Sequence, residues 1–235
     1  MSASPTLASP RVHAPFVGVL VFPGSLDDRD MERSLGLCGA RAERIWHKDT
    51  RLPPDLDGIA VPGGFSYGDY LRCGAMARFS PVMRAVVDFA ASRRPVLGVC
   101  NGFQILCEAG LLPGALVRNR QLKYVCQDVR VVVEDPGDLR AKLAPGRALV
   151  MPVKHGEGAY VPDPDHKPRV AFRYIGGSPN GSTDDIAGVA NDRGNVVGLM
   201  PHPEHATDPL LGSTDGGELL QAFLATCLAV REAQR

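Results

Sequence analysis

The sequence predicts an α/β fold in which a mostly parallel central sheet is covered by helices on both faces. Three observations point there. Short, continuous apolar runs alternate with amphipathic helical stretches through the first half of the chain. The runs end in Gly and Pro clusters, as strands buried on both faces do. One run, Val96-Leu97-Gly98-Val99, passes without a spacer into a helical pattern starting at Asn101, so that Cys100 sits at a strand-to-helix corner.

Taken in order, Phe16 to Phe22 is a buried strand bounded by Pro15 and Pro23-Gly24. Ser25, with Asp28 three residues on, has the form of a capping box for a helix running towards Cys38, and Gly39 is placed to stop it. Arg41 to Trp46 and Gly58 to Val61 follow as strands, the second ending in Pro62-Gly63-Gly64. Val82, Val86, Phe89 and Ala90 fall at helical spacing between Phe79 and Ala91. After the strand from Pro95 and the helix Asn101 to Glu108, the pattern loosens. Val129 to Val133, Ala148 to Val153, Val170 to Ile175 and Val196 to Met200 are expected strands, and Gly217 to Val230 a closing helix. With no repeat and no linker, residues 16–235 are expected to form one domain behind a flexible tail, residues 1–15.

Composition excludes several classes of function. The chain has 235 residues, 26 basic and 26 acidic, with no long run of either sign, so nothing favours nucleic acid or an anionic membrane surface. Its longest apolar runs are too short to span a bilayer, and the Ser/Pro/Ala-rich start lacks the build of a signal peptide. The six cysteines form no C-x-x-C pair and no zinc-like spacing with histidine, so no metal site is expected. Reduced thiols in the cytoplasm are the expectation.

The chemistry centres on Gly98-Val99-Cys100-Asn101-Gly102-Phe103-Gln104, a nucleophile elbow with Cys in place of Ser. A lone cysteine is more often a plain buried residue. Here, however, small neighbours permit the tight turn, and the helix that follows points its free N–H groups and positive end at the sulfur. A thiol needs a base, and the base needs an orienting acceptor. His202, in Met200-Pro201-His202-Pro203-Glu204, lies directly after an apolar strand, where parallel sheets carry their active groups, and Glu204 can orient it. His155, in His155-Gly156-Glu157-Gly158, is the rival base with a glutamate at the same offset. Gly63-Gly64, at another strand end, can present a backbone N–H. Gly64 and Asn101 are therefore the candidate oxyanion donors.

In this order and spacing, these segments resemble the class I (triad-type) glutamine amidotransferases, which have a flavodoxin-like sheet. A more specific likeness is to the glutaminase subunits of phosphoribosylformylglycinamidine synthase. It is carried by Gly63 to Ala75 (G-G-F-S-Y-G-D-Y-L-R-C-G-A), Gly98 to Gln104, Gly110 to Leu116 and Gly198 to Glu204, and it spans Phe16 to Val230. The resemblance implies that Cys100 attacks glutamine to form a thioester, that His202 moves the proton and Glu204 orients His202, and that Gln104 helps hold the substrate. It further implies that the freed ammonia converts formylglycinamide ribonucleotide to its amidine in purine biosynthesis. His205 stands where the family usually has a basic residue.

Amidine formation requires ATP, yet no G-x-x-x-x-G-K-[ST] loop exists and Gly-Lys never occurs in the chain. The resemblance supplies a partner: a large synthetase subunit bearing ATP and Mg2+, with a small third subunit, and no cofactor on this chain. The competing readings are a stand-alone cysteine hydrolase or stress-response protein on a similar sheet, and a scaffold without catalysis. Gln104 with the His-Pro-Glu loop argues against the first, and the intact Cys100, His202 and Glu204 set against the second.

Overall fold

The computed structural model describes residues 14–234. The tail expected over residues 1–15 lies outside the described residues as far as position 13. The strands are β1 (Phe16–Val21), β2 (Arg41–Trp46), β3 (Gly58–Val61), β4 (Val96–Val99), β5 (Ala115–Val117), β6 (Val125–Val133), β7 (Ala148–His155), β8 (Ala159–Val161), β9 (Arg169–Tyr174), β10 (Ile186–Ala190) and β11 (Val196–Leu199). The helices are α1 (Asp28–Leu37), α2 (Pro81–Ala91), α3 (Asn101–Glu108) and α4 (Asp215–Ala233).

Nine strands make one sheet in the order β2-β1-β3-β4-β11-β10-β9-β6-β7, and β5 pairs with β8 in a separate ribbon. From β2 to β11 every ladder is parallel; from β11 to β7 every ladder is antiparallel. The change of direction matches the change in sequence texture. β1, β3, β4 and β11 are almost wholly buried, as strands covered on both faces must be. β7 alternates half-buried with buried residues, placing Leu149, Met151, Val153 and His155 on one inward face.

Glycines show how close the cover lies. A Cβ on Gly58 would strike Phe223 and Cys227 of α4, whereas one on Gly98 would strike Leu106 and Gly102 of α3. In the β3–β4 register Gly98 pairs with Val61, three residues from Gly58. Because side chains alternate along a strand, Gly58 and Gly98 face opposite sides of the sheet, and so do α4 and α3.

One local expectation needs correction, and one strand went unread. Ser25 does not cap α1; its Oγ accepts from Phe22 N at 2.9 Å, tightening the turn after β1, and the residue flanking α1 is Asp27. The strand β10 was not legible as one, because Ile186-Ala-Gly-Val-Ala190 follows a Gly- and Asp-rich loop. Every residue of it is nonetheless buried between β9 and β11. Gly39 does end α1, with φ +95° and Ala40 N donating to Leu35 O at 3.0 Å.

Candidate active site

Four adjacent parallel strands, β1, β3, β4 and β11, end on the same rim. Their C-terminal loops carry Asp27, Gly63-Gly64, Cys100 and His202, so residues up to 175 positions apart in sequence converge by strand order alone. Val99 of β4 is level with Leu199 of β11, and Cys100 N donates to Leu199 O at 2.8 Å, which holds the two central loops side by side. The far end of β7 also reaches this rim. Pro152 O accepts from His202 N at 2.8 Å, and Lys154 O lies 3.8 Å from Cys100 Sγ.

The elbow is as tight as its sequence predicts. Cys100 adopts φ 50°, ψ −107°, a conformation costly for a non-glycine residue and kept only where the surroundings enforce it. A Cβ on Gly102 would run into the carbonyl of Val61, so only glycine lets α3 start this close to β3. Asn101 opens α3 with its side chain fully engaged: Oδ1 accepts from Ser66 N at 3.1 Å and Nδ2 donates to Gln104 Oε1 at 2.9 Å. Gln104 Nε2 donates in turn to the carbonyl of Glu157. Gln104 is therefore a buried tie between the elbow and the β7–β8 turn. Gly64, with φ +149°, is wedged against Gly24 and Leu26 where no Cβ would fit.

His202 is completely buried, and its Nδ1 lies 2.6 Å from Glu204 Oε1, which is buried as well. That bond places the proton on Nδ1 and leaves Nε2 to face the thiol. Nε2 makes no hydrogen bond among the described residues, and the Cys100 thiol lies near enough to act on the charge of the ring. Burial alone would keep the ring neutral, but the Glu204 carboxylate and then Cys100 outweigh it, raising His202 to about 10. Burial likewise opposes the charge on Glu204, yet His202 holds it below the usual carboxylate range.

His155 is brought close but serves differently. Its Nδ1 pairs with Asn119 Oδ1 at 3.1 Å and its Nε2 with Asn180 Nδ2 at 3.4 Å. Burial, and then the charge of nearby His202, depress it to about 4, so it is neutral at pH 7. The remaining buried and half-buried thiols are poor nucleophiles: burial pushes Cys38, Cys73, Cys107 and Cys227 up.

Two groups missed by sequence reasoning stand beside the ring. Asp27, 3% exposed, has Oδ2 3.7 Å from His202 Nδ1, and its Oδ1 accepts from Lys154 Nζ at 2.6 Å. The strand-end rule that favoured His202 applies equally to Asp27, which follows β1. Lys154 was hidden next to the His-Gly-Glu-Gly segment. Ligand atoms of His202, Glu204 and His205, and of Asp27, Asp30 and His205, lie within 4.8 Å of one another, but these groups already pair among themselves and with Lys154. They form an ion-pair network rather than a cation site.

The family model for the CobB/CobQ-like glutamine amidotransferase domain matches residues 14–219. The chain is 50% identical over 221 residues to the phosphoribosylformylglycinamidine synthase subunit PurQ of Frankia casuarinae, covering 91% of this chain and 94% of that one. It belongs to this family of glutamine amidotransferase subunits. The corresponding protein of Rubrobacter xylanophilus is 53% identical over 216 residues, with 89% of this chain and 97% of that one covered. Among solved structures, PurLQS of Thermotoga maritima matches with TM-score 0.85 at 39% identity, covering 90% of this chain and 98% of its own. A GMP synthase component from Thermoplasma acidophilum matches with TM-score 0.70 at 17% identity, covering 94% of this chain and 98% of its own; it shares the fold. The amidotransferase family thus accounts for the glycine-tight elbow and for the loops gathered on one rim.

Proposed function

We propose that this amidotransferase subunit hydrolyses glutamine through Cys100, His202 and Glu204 and passes the ammonia to a synthetase subunit of phosphoribosylformylglycinamidine synthase. The observation that carries the reading is the buried His202–Glu204 bond at 2.6 Å next to the strained elbow cysteine. The thiolate of Cys100 attacks the carboxamide carbon, and the oxyanion that develops is met by the backbone N–H groups of Asn101 and Gly64. His202 delivers its Nε2 proton to the departing ammonia, leaving a thioester, and then draws a proton from water as the thioester is hydrolysed to glutamate. Glu204 keeps the proton on Nδ1 throughout. Gln104, anchored to Glu157, shapes the wall against which glutamine lies.

The likeness to PurLQS of Thermotoga maritima supports assembly with other subunits. In this reading they are a large synthetase subunit, which holds ATP and Mg2+, and a small third subunit. No helix among the described residues is long and apolar enough to cross a membrane. The cytoplasm is the proposed compartment. Residues 16–235 act as one domain in this reading. Cys100 is 5% exposed and His202 is not exposed at all, so substrate entry requires the rim to open. Docking of the synthetase provides that motion, at the Gly63-Gly64 segment or at the elbow, and basal turnover is low.

The test is glutamate release by the chain alone and by the reconstituted complex, with Cys100→Ala alongside. Wild type gains strongly on assembly. The Cys100→Ala complex loses all glutamine-dependent synthesis but still uses ammonium salt. Loss of both activities would mean that residue 100 is structural, and equal hydrolysis with and without the synthetase would remove the activation step.

A further inference from the structure

A buried carboxylate is costly to keep charged unless it is paired, so its neighbours reveal what it does. Asp27 has three. Lys154 Nζ donates to Oδ1 at 2.6 Å, the His202 ring faces Oδ2 at 3.7 Å, and His205 Nε2 lies 3.7 Å from Oδ1. The arrangement is tightly built. A Cβ on Gly63 would collide with both the Asp27 carboxylate and the His202 ring, so the two meet only because residue 63 is glycine. Asp27 N and Leu26 N both donate to Gly63 O, at 3.3 and 3.2 Å, tying the carboxylate to the segment that carries Gly64. Lys154 touches the site twice, through its ammonium on Asp27 and through its carbonyl on Cys100 Sγ at 3.8 Å.

We infer that Asp27 and Lys154 are a pair of positioning residues that set the proton affinity of the Cys100–His202 couple, the carboxylate raising it and the ammonium lowering it. This rests on the proposed roles of Cys100 and His202. Nδ1 of the ring is already committed to Glu204, so Asp27 acts by its charge and not as a second acceptor. Other charged or titratable groups face the couple as well. Glu204 and His205 come from its own loop, His205 stacking at 5.2 Å and pairing with Asp30 at 3.1 Å. His155 comes from β7, Tyr174 from β9, and Tyr124 from the segment before β6, its hydroxyl raised by burial and then by the charges of Cys100, Cys126 and Asp27. Within this set, only Asp27 and Lys154 form an ion pair that joins the oxyanion segment to the thiol.

The physical consequence is a pair of opposite signs. Removing a negative charge beside the couple makes every proton on it easier to lose, and removing a positive charge makes every proton harder to lose. A residue that only braced the loop would not shift titration in opposite directions.

The experiment follows the rate of iodoacetamide modification of Cys100 against pH. It uses the full-length chain with the exposed Cys126 changed to Ser, and the modified peptide is identified by mass spectrometry. Asp27→Asn moves the rise in rate to lower pH by about one unit, Lys154→Met moves it up by a similar amount, and the double variant returns near the parent. Curves that coincide with the parent, or two shifts in the same direction, overturn the inference. Should Asp27→Asn fail to fold, an unshifted Lys154→Met curve overturns it alone. His202→Asn tests the couple itself: if its curve equals the parent's, the Cys100–His202 reading fails, whatever the other variants do.

Discussion

Two segments of this chain spell histidine, then any residue, then glutamate, and both lie against the same rim, yet they do opposite things. In His202-Pro203-Glu204 the glutamate turns back onto the ring at 2.6 Å. In His155-Gly156-Glu157 it turns outward, its carboxylate 3.4 Å from Arg118, while its backbone carbonyl holds Gln104. His155 rests on the neutral amides of Asn119 and Asn180 instead. One imidazole is raised to about 10 and the other depressed to about 4. Both rings are buried, so burial does not separate them. The nearest full charge does: a carboxylate for one, and for the other the cation on its neighbour. Identical spacing thus produces one ring paired with a carboxylate and another fixed between two amides.

The sharpest way to break this contrast is to remove each ring in turn. His202→Asn is expected to lower glutamine hydrolysis by the complex by about 10²–10⁴-fold, the range of general acid–base assistance. His155→Leu is expected to cost less than about tenfold in kcat. If the two effects exchange places, the base is His155 and the assignment reverses.

Stability gives the next contrast. His155→Leu removes one hydrogen bond each from Asn119 Oδ1 and Asn180 Nδ2, which keep Gly158 N and Gly158 O as partners, and for the two bonds a loss of about 1–3 kcal/mol is expected from urea unfolding at pH 7. An unchanged midpoint would mean that these bonds contribute nothing net.

The pH dependence of unfolding sharpens the comparison further. His155 has a folded value of about 4 against an ordinary 6.5, so between those values the unfolded chain takes up a proton that the folded chain refuses. Stability therefore falls as pH drops from 6.5 towards 4, by up to about 3 kcal/mol. His202, raised above its ordinary 6.5, contributes stability that is complete below 6.5 and lost as pH rises towards about 10. Together they place the maximum near neutrality. In His155→Leu the acid-side decline becomes shallower and the alkaline side stays as it is; a variant curve parallel to wild type on both sides would remove His155 as the source.

Much of this was legible in the residues because it is steric and local. The corner at Cys100 needs glycines at 98 and 102 whatever else the chain does, since Gly102 lies against the Val61 carbonyl and Gly98 against Leu106. The apolar runs of β1, β3, β4 and β11 declared their burial on both faces. The antiparallel half was harder, for its strands are half-exposed or, like β10, short and rich in small residues. The ribbon of β5 and β8 carries three residues a side, too few for any period to register.

By itself the sequence determined which groups are available: a cysteine forced into an elbow and histidines with following glutamates. Only the tertiary structure decided which histidine meets a carboxylate beside the elbow, and that Asp27 and Lys154 stand close to it. Strand order is the reason. The chain runs β1, β2, β3, β4 and then travels through six more strands before β11, but pairing sets β1, β3, β4 and β11 side by side. A contact between residues 27, 100, 154 and 202 is a property of that pairing and has no local signature in the chain.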